Sequence, residues 1–350
     1  MKTILVTGGT GYIGSHTVVE LQEAGYKVVI IDNLSNSQPD VVDNIEAITG
    51  IRPEFEMVDL KDREATLEVF TTHPEIKAVI HFAALKAVGE SVNIPLDYYK
   101  NNIDSLIHVL EGMQVTGVRH IVFSSSCTVY GEPDALPVTE HAPIKKANSP
   151  YGNTKQICEE LMEDFRVPNP DINVISLRYF NPIGAHPTAL IGELPIGVPN
   201  NLVPFITQTA IGVRNELQVF GDDYNTPDGS AIRDYINVVD LAKAHVVAIE
   251  RLLKRKNRSG YEVFNLGTGK GNSVFEVIKT FEKATGQTLK HKVVGRREGD
   301  VEQVYADTSY ANKELGWKAE KSLDETLLSA WKWEQRYRAE NTPKRSGEIK

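Results

Sequence analysis

The stretch SPYGNTK, residues 149–155, sets Tyr151 four positions ahead of Lys155. On a helix those positions share one face. A free phenol, with a pKa of about 10, is a poor base at pH 7. Lowering it by about three units requires roughly 4 kcal/mol of differential stabilisation, which nearby positive charge in a partly dry pocket can supply. Taken alone, YxxxK also describes a surface helix carrying an aromatic and a charge. FSSSCTVYG, residues 123–131, narrows the choice, because it delivers a serine run to the end of a strand-like segment, with Ser126 lying 25 residues before Tyr151. A polar turn is the bland reading of those serines. Together the three residue types make a proton-transfer set. Tyr151 is its base and, on return, its acid, Lys155 its electrostatic partner, and Ser126 the hydrogen bond to a substrate oxygen.

Such a set needs something to accept hydride. Gly9, Gly11 and Gly14 in TGGTGYIG fit G-x-G-x-x-G, and with Gly8 the stretch also reads G-x-x-G-x-x-G. It follows an apolar run and opens a helical pattern, the context in which a glycine turn lets backbone approach a pyrophosphate at a helix N-terminus. Asp32 closes the second apolar run, 18 residues after Gly14. There a carboxylate accepts from adenosine ribose hydroxyls and repels a 2′-phosphate. Asn33 follows where an arginine would suit NADP. NAD is therefore the expected cofactor. Asp59 is a weaker candidate for the adenine, and Lys86 in HFAALKAVGES could reach the nicotinamide ribose or be a solvated loop lysine.

The elements that must position these groups alternate. Strand-like runs occur at 3–7, 27–31, 55–58, 78–82, 120–123 and 172–177, with helical patterns such as 16–25 and 63–70 between them. This predicts βαβ units, a parallel sheet buried on both faces, and a doubly wound α/β fold of Rossmann type. After residue 180 a Pro- and Gly-rich stretch marks a smaller mixed α/β substrate lobe. Residues 232–254 read as a long helix and 261–267 as a strand returning to the main sheet. The expected division is 1–180 for the cofactor, with a return of 235–265, and 181–234 plus 266–340 for the substrate. Ser273–Glu276 and Ser322–Glu325 have capping-box spacing, and the last dozen residues read as frayed.

The serine–tyrosine–lysine group behind TGGTGYIG resembles the extended branch of the short-chain dehydrogenase/reductase superfamily. HFAALKAVGES, SSSCTVYGEP, SPYGNTK, LRYFNPIGAH, IRDYINV, FNLGTGKGNSV and RREGD together resemble the UDP-glucose 4-epimerase family over nearly the whole chain. That resemblance implies a tightly held NAD that takes hydride from C4 of a UDP-hexose and returns it to the other face. It implies cofactor contacts from Gly8, Gly11, Tyr12, Ile13, Gly14, Asp32, Asn33, Asp59, Leu60, Phe82, Lys86, Asn101, Tyr151, Lys155, Tyr179 and Phe180. It places Ser126, Asn181 and Asn201 on the substrate, Leu202 and Phe220 over the uracil, Arg233 and Arg297 on the diphosphate, Asp300 on the nucleoside ribose, and Val304 at the sugar 2-position. Arginine suits a diphosphate because its donors are fixed and bidentate. Valine there, where tyrosine would crowd an N-acetyl group, suggests that UDP-GlcNAc and UDP-GalNAc are also epimerised; the plain alternative is a core valine.

The rivals are nucleotide-sugar 4,6-dehydratases, which resemble this branch but carry an Asp-Glu pair after the serine or threonine, and decarboxylases, which keep a glutamate there. Cys127-Thr128 supplies neither carboxyl. A non-catalytic NAD-sensing protein is a further alternative, but such relatives usually lose the tyrosine or lysine. The family resemblance also implies a homodimer through helices 90–115 and 150–167. With 350 residues, 41 % hydrophobic, and a net charge of −9, the chain is of ordinary globular composition and ill suited to coating nucleic acid. Its two cysteines, Cys127 and Cys158, imply no disulfide framework, and neither a signal-peptide core nor a membrane-length apolar run is read. A soluble cytoplasmic enzyme without a metal is the expectation.

Overall fold

The computed structural model describes residues 1–297 and 301–341. In chain order its strands are β1 (Thr3–Thr7), β2 (Lys27–Asp32), β3 (Glu54–Met57), β4 (Ile76–His81), β5 (His120–Ser126), β6 (Asn173–Tyr179), β7 (Asn181–Ile183), β8 (Leu217–Phe220), β9 (Ile232–Asn237), β10 (Tyr261–Leu266), β11 (Gly271–Ser273), β12 (His291–Val294) and β13 (Gln303–Val304). Seven of them form one parallel sheet in the order β10-β6-β5-β4-β1-β2-β3.

The apolar runs are continuous rather than alternating because both faces of this sheet are covered. On one face Ile4, Val6, Ile30, Ile80 and Val122 pack with Leu241 and Ile249. Those two leucine and isoleucine side chains belong to the helix Val238–Leu253, which lies beside the helix Tyr12–Glu23. On the other face Leu5, Val29, Val79 and Ile121 meet Leu110, Met113 and Met162. These come from the helices Ser105–Thr116 and Pro150–Arg166. Strand order reverses between β1 and β4, so the crevice beyond their carboxyl ends is the ligand position that a doubly wound sheet builds. The expected α/β fold and the return of 261–267 to the sheet are both present: β10 pairs in parallel with β6.

Two expectations need correction. Residues 232–254 are not one helix. Ile232–Asn237 is a strand paired with β7, β11 and β13, and the helix starts only at Val238, where the Asn237 side chain accepts from the Val239 N–H. The apparent helical run is split because three remote segments offer β9 partners on both sides. Nor do residues 90–115 form one helix. The chain leaves helical geometry at Ile94 (φ −128°, ψ 55°), ahead of Pro95, whose ring disfavours helix in the residue before it. A π-turn at Lys100–Asp104 then precedes Ser105–Thr116.

Beside the main sheet, β9 is the centre of a small sheet with β7, β11 and β13, and β8 pairs with β12. Helices Leu202–Ala210, Val274–Thr285 and Leu323–Asn341 enclose a separate core with Ile206, Val219, Phe281 and Trp331. Ser273 and Glu276 form a complete capping box, and Ser322 and Glu325 exchange the same pair of bonds. Residues 339–341 continue a helix rather than fraying; the rest of the tail lies outside the described residues. Among the described residues no helix is long and apolar enough to cross a membrane.

Candidate active site

The helix Pro150–Arg166 starts where Ser149 caps it by accepting from the Gly152 N–H at 3.1 Å. Proline at its first position suits the helical φ. This start fixes the rotation of the helix, and Tyr151, Lys155 and Glu159 then fall on one inward stripe. All three are buried. Opposite them lies the carboxyl end of β5, with Ser124, Ser125 and Ser126, followed by a 3₁₀ turn at Cys127–Tyr130.

Each member of the stripe meets a different serine. Lys155 donates from Nζ to the Ser124 carbonyl at 2.7 Å. Glu159 Oε1 accepts from the Ser125 hydroxyl at 2.5 Å. The Ser126 side chain lies beside Tyr151 and favours its ionised form. Ser126 Oγ itself accepts from the Thr128 N–H at 3.2 Å and the Thr128 hydroxyl at 3.0 Å, which orients it. The structure thus brings Ser126, Tyr151 and Lys155 together.

Burial pushes the Tyr151 phenol well up, the adjacent Tyr179 adds to this, and the Ser126 side chain opposes it. Lys155 Nζ stands 5.9 Å from the Tyr151 ring centroid and lies 4.7 Å over Phe123. Burial lowers its ammonium to about 8, against the raising influence of Cys158 and Glu159. The protein's own groups therefore hold Tyr151 as the neutral acid. Lys155 alone does not reverse the effect of burial, so the basic form requires further positive charge at the site. Tyr179 hydrogen-bonds to Ser124 Oγ, and Phe180 is buried next to Val129 and Val304.

The cofactor residues lie at the β1–β2 end of the crevice. A Cβ on Gly14 would come 2.1 Å from the Gly8 carbonyl oxygen, and one on Gly8, at φ +69°, would come 2.9 Å from Ala83 N. Bare backbone is thus required where the helix Tyr12–Glu23 begins. Its N-cap, Gly11, offers no side-chain acceptor, and its first turn has no carboxylate. The free N–H groups and dipole of that turn fit a pyrophosphate. Asp32 accepts from the N–H groups of Thr10 (3.2 Å) and Leu34 (2.9 Å), which aims its carboxylate along the same edge. A carboxylate has lone pairs left for ribose hydroxyls. These residues fit a dinucleotide.

Tyr12 donates to the Gly184 carbonyl at 2.7 Å, Ile13 packs against the core, and the Asn33 side chain accepts from the Ser35 N–H. Asp59 accepts from Lys61 N, and the Leu60 carbonyl accepts from His108. Phe82 packs on His245 with ring centroids 4.6 Å apart. Lys86 Nζ is 3.9 Å from Glu193, whose carboxylate also takes a bond from Asn201. Asn101 sits in the π-turn and donates to Asn102, which in turn holds both backbone groups of Leu85 and the Thr154 hydroxyl.

The residues expected on the substrate side lie on the small sheets and at the start of the helix Leu202–Ala210. Asn181 is on β7, and Leu202 joins the second lobe's core. Arg233 on β9 is paired in register with Val304 on β13 and donates to the Ile232 carbonyl at 2.8 Å. Arg297 lies over the Phe220 ring at 5.5 Å. Asp300 lies outside the described residues.

Sequence reasoning missed Glu159 and Arg178. Arg178 grips the Glu159 carboxylate through Nε (3.0 Å) and Nη2 (2.5 Å) and also donates to Tyr130 Oη at 3.0 Å. Two signals were available: Glu159 continues the Tyr151–Lys155 spacing, and Arg178 sits inside an otherwise apolar strand run, NVISLRY. Removing one partner of such a buried pair typically costs about 3–5 kcal/mol.

A parallel sheet with a glycine turn at its switch point and a Ser126–Tyr151–Lys155 set defines an extended short-chain dehydrogenase/reductase. The family model described as GDP-mannose 4,6 dehydratase matches residues 5–329. The UDP-glucose 4-epimerase of Dictyostelium discoideum is 51 % identical over 331 residues, covering 95 % of each chain. A UDP-glucose 4-epimerase structure from Stenotrophomonas maltophila, with bound NAD and formylated UDP-arabinopyranose, superposes with a TM-score of 0.93 at 48 % identity, covering 97 % of this chain and 100 % of that one. One from Bifidobacterium longum, in complex with NAD+ and UDP, gives a TM-score of 0.91 at 46 % identity, covering 97 % and 99 %. The chain belongs to the UDP-glucose 4-epimerase family.

Proposed function

We infer that this protein is an NAD-dependent isomerase that interconverts UDP-glucose and UDP-galactose at C4. The observation that carries this reading is the Ser126–Tyr151–Lys155 set at the end of β5, followed by Cys127-Thr128 where a dehydratase would carry its carboxyl pair. Cys127, whose thiol burial pushes up to about 12, and Thr128, whose hydroxyl is turned to Ser126, cannot do the acid–base work of dehydration.

NAD, which Gly8, Gly11, Gly14 and Asp32 would hold, would supply the hydride acceptor and donor for C4 and a positive ring charge. Tyr151 removes the proton from the C4 hydroxyl and restores it after the keto-sugar has turned. Its raised affinity for a proton makes it a ready acid in the return step. Ser126 hydrogen-bonds the same oxygen. Lys155, anchored on Ser124, supplies fixed charge and a donor toward the cofactor ribose. Asn181, Asn201, Arg233, Arg297 and Asp300 hold the UDP-sugar.

The division into residues 1–180 with 235–265, and 181–234 with 266–340, belongs to this reading. So does a homodimer through 90–115 and 150–167, which the exposed Val92 and Leu96 support. A cytoplasmic setting fits two cysteines that are both unpaired. Acceptance of UDP-GlcNAc and UDP-GalNAc beside Val304 completes the proposal.

The test is to incubate the purified protein with UDP-galactose and no added NAD, then follow the nucleotide-sugars. UDP-glucose is the expected product. A 4-keto-6-deoxy sugar would place the enzyme among the dehydratases, and loss of carbon dioxide from a uronic substrate among the decarboxylases. NAD in the supernatant of the denatured protein is expected as well, since loss of the reduced cofactor in mid-cycle would strand the keto-sugar.

A further inference from the structure

The helix stripe does not end at Lys155. Its third member, Glu159, is buried, carries a charge, and has no part in proton transfer to the sugar. It ties the set to the rest of the molecule. One carboxylate oxygen accepts from Ser125, the residue between the Lys155 anchor and Ser126. Both oxygens accept from Arg178 on the neighbouring strand β6. Arg178 and Asn265 hold the Tyr130 hydroxyl from two sides, and Tyr130 ends the turn that carries Thr128. Asn265 on β10 donates to the Val138 carbonyl, and Val138 accepts from Asp307 just beyond β13.

We propose that Glu159, held by Arg178, is a positioning residue for epimerisation: it keeps Ser125 and Ser126 in register with Tyr151 and sets a carboxylate one helical turn from Lys155. This rests on the function proposed above. The geometric part follows from Ser125, since consecutive residues of a strand cannot shift independently; holding its hydroxyl to the helix holds Ser126 at Tyr151. The electrostatic part follows from placement. Lys155 lies where burial favours its neutral form. Next to it are Cys158 and Glu159 on its own helix and His81 on β4, with the Tyr151 ring 5.9 Å away; Tyr179 and Tyr98 adjoin Tyr151, and Arg178 pairs with Glu159. His81 is held neutral by burial, and burial raises Cys158 and the tyrosines above their ordinary ranges. Glu159 is the carboxylate of the stripe, and Cys158 and Glu159 both act to raise Lys155 toward protonation.

The test uses the protein purified with its cofactor and labelled at lysine ¹³Cε, with the Lys155 signal assigned by its loss in Lys155→Met. Glu159→Gln lowers the Lys155 titration midpoint by about one unit or more, because the charge favouring the ammonium is gone. It also lowers kcat for UDP-galactose by about tenfold, with KM within about twofold of wild type, because the residue touches neither sugar nor nucleotide. Glu159→Gln leaves Arg178 unpaired, so the double variant Glu159→Gln/Arg178→Met is measured beside it; removing both charges avoids the cost of a single buried ion. The midpoint falls in the double variant too. Ser125→Ala leaves every charge in place and lowers kcat about threefold without moving the midpoint, the scale of one neutral hydrogen bond. A midpoint that stays at the wild-type value in the Glu159 variants overturns the electrostatic role, and an unchanged kcat in Ser125→Ala overturns the geometric one. A wild-type protein that fails to epimerise while its Lys155 midpoint still responds to Glu159 counts against the proposed function and not against this placement.

Discussion

The two halves of the site are built differently. The half proposed for proton transfer sits on the longest helix facing the seven-stranded sheet, and Lys155 and Glu159 in its inward stripe are each held by a serine of β5. The recognition half hangs on strands of two to six residues around β9 and on the edge pair β8–β12. Lys155 and Tyr151 are buried, whereas Phe220, beneath Arg297, is 38 % exposed. The difference follows from what each half must do. Proton transfer requires side chains held to within a fraction of an ångström. A flexible diphosphate needs donors of the right charge and fork geometry, and short strands suffice to present them.

Breaking the proton-transfer half has the largest expected effect. Tyr151→Phe lowers kcat by about 10²–10⁴-fold, the range for loss of a general base, while UDP affinity measured by calorimetry stays near the wild-type value. Near-normal turnover would remove the phenol from the mechanism.

The recognition half breaks in the opposite sense. Arg297→Ala weakens UDP binding by about tenfold or more, the scale of a charge-assisted hydrogen bond, and acts mainly through KM. If kcat falls with no change in KM, the contrast between the halves is wrong.

Val304 lies at the seam, in register with Arg233 and packed near Phe180. Val304→Tyr overfills that space, at a cost of about 1–3 kcal/mol. It therefore lowers activity on UDP-GlcNAc by at least about tenfold and spares UDP-glucose. Equal loss on both substrates, or no wild-type activity on UDP-GlcNAc, takes the gating role from Val304.

The smallest effect belongs to a charged cluster remote from both halves. His73 is buried with Glu56 2.9 Å from Nε2 and Glu54 and Glu75 each 3.5 Å from Nδ1. Burial opposes its protonation, but the Glu56 hydrogen bond and the three carboxylates outweigh it and raise its pKa. A raised folded-state pKa contributes stability that is full below the unfolded value of about 6.5 and is lost as pH rises through the folded value. His73→Gln therefore lowers the melting temperature by about 1–3 °C at pH 6, and the two proteins converge at pH 9, with epimerase activity unchanged throughout. A melting difference that grows with pH would show that His73 is neutral in the fold.

How much of this was legible beforehand depended on the distance over which the deciding contact acts. The first six strand runs, the glycine turn and the Tyr151–Lys155 spacing depend on neighbours within a few residues, and the strands and the inward stripe occur where those patterns put them. Two long helices were misread where local pattern and fold disagree. Ile232–Asn237 runs without a break into a helical pattern, yet its isoleucines and tyrosine suit a strand and its backbone groups are taken by strands from 181–183, 271–273 and 303–304. The break at Ile94 is readable from Pro95, but the π-turn that brings Asn102 to Leu85 and Thr154 is not.

The sheet's apolar runs, the bare backbone at Gly8 and Gly14, and the common face of Tyr151, Lys155 and Glu159 follow from local pattern, because each is set by backbone sterics or by the 3.6-residue helical period. Which serine meets which side chain, and that Arg178 closes on Glu159 and Tyr130 on Asn265, across 19 and 135 residues of chain, follows from the assembled fold alone. Those pairings bury charge and polar groups, and a buried polar group is tolerated only where the completed fold brings it a partner.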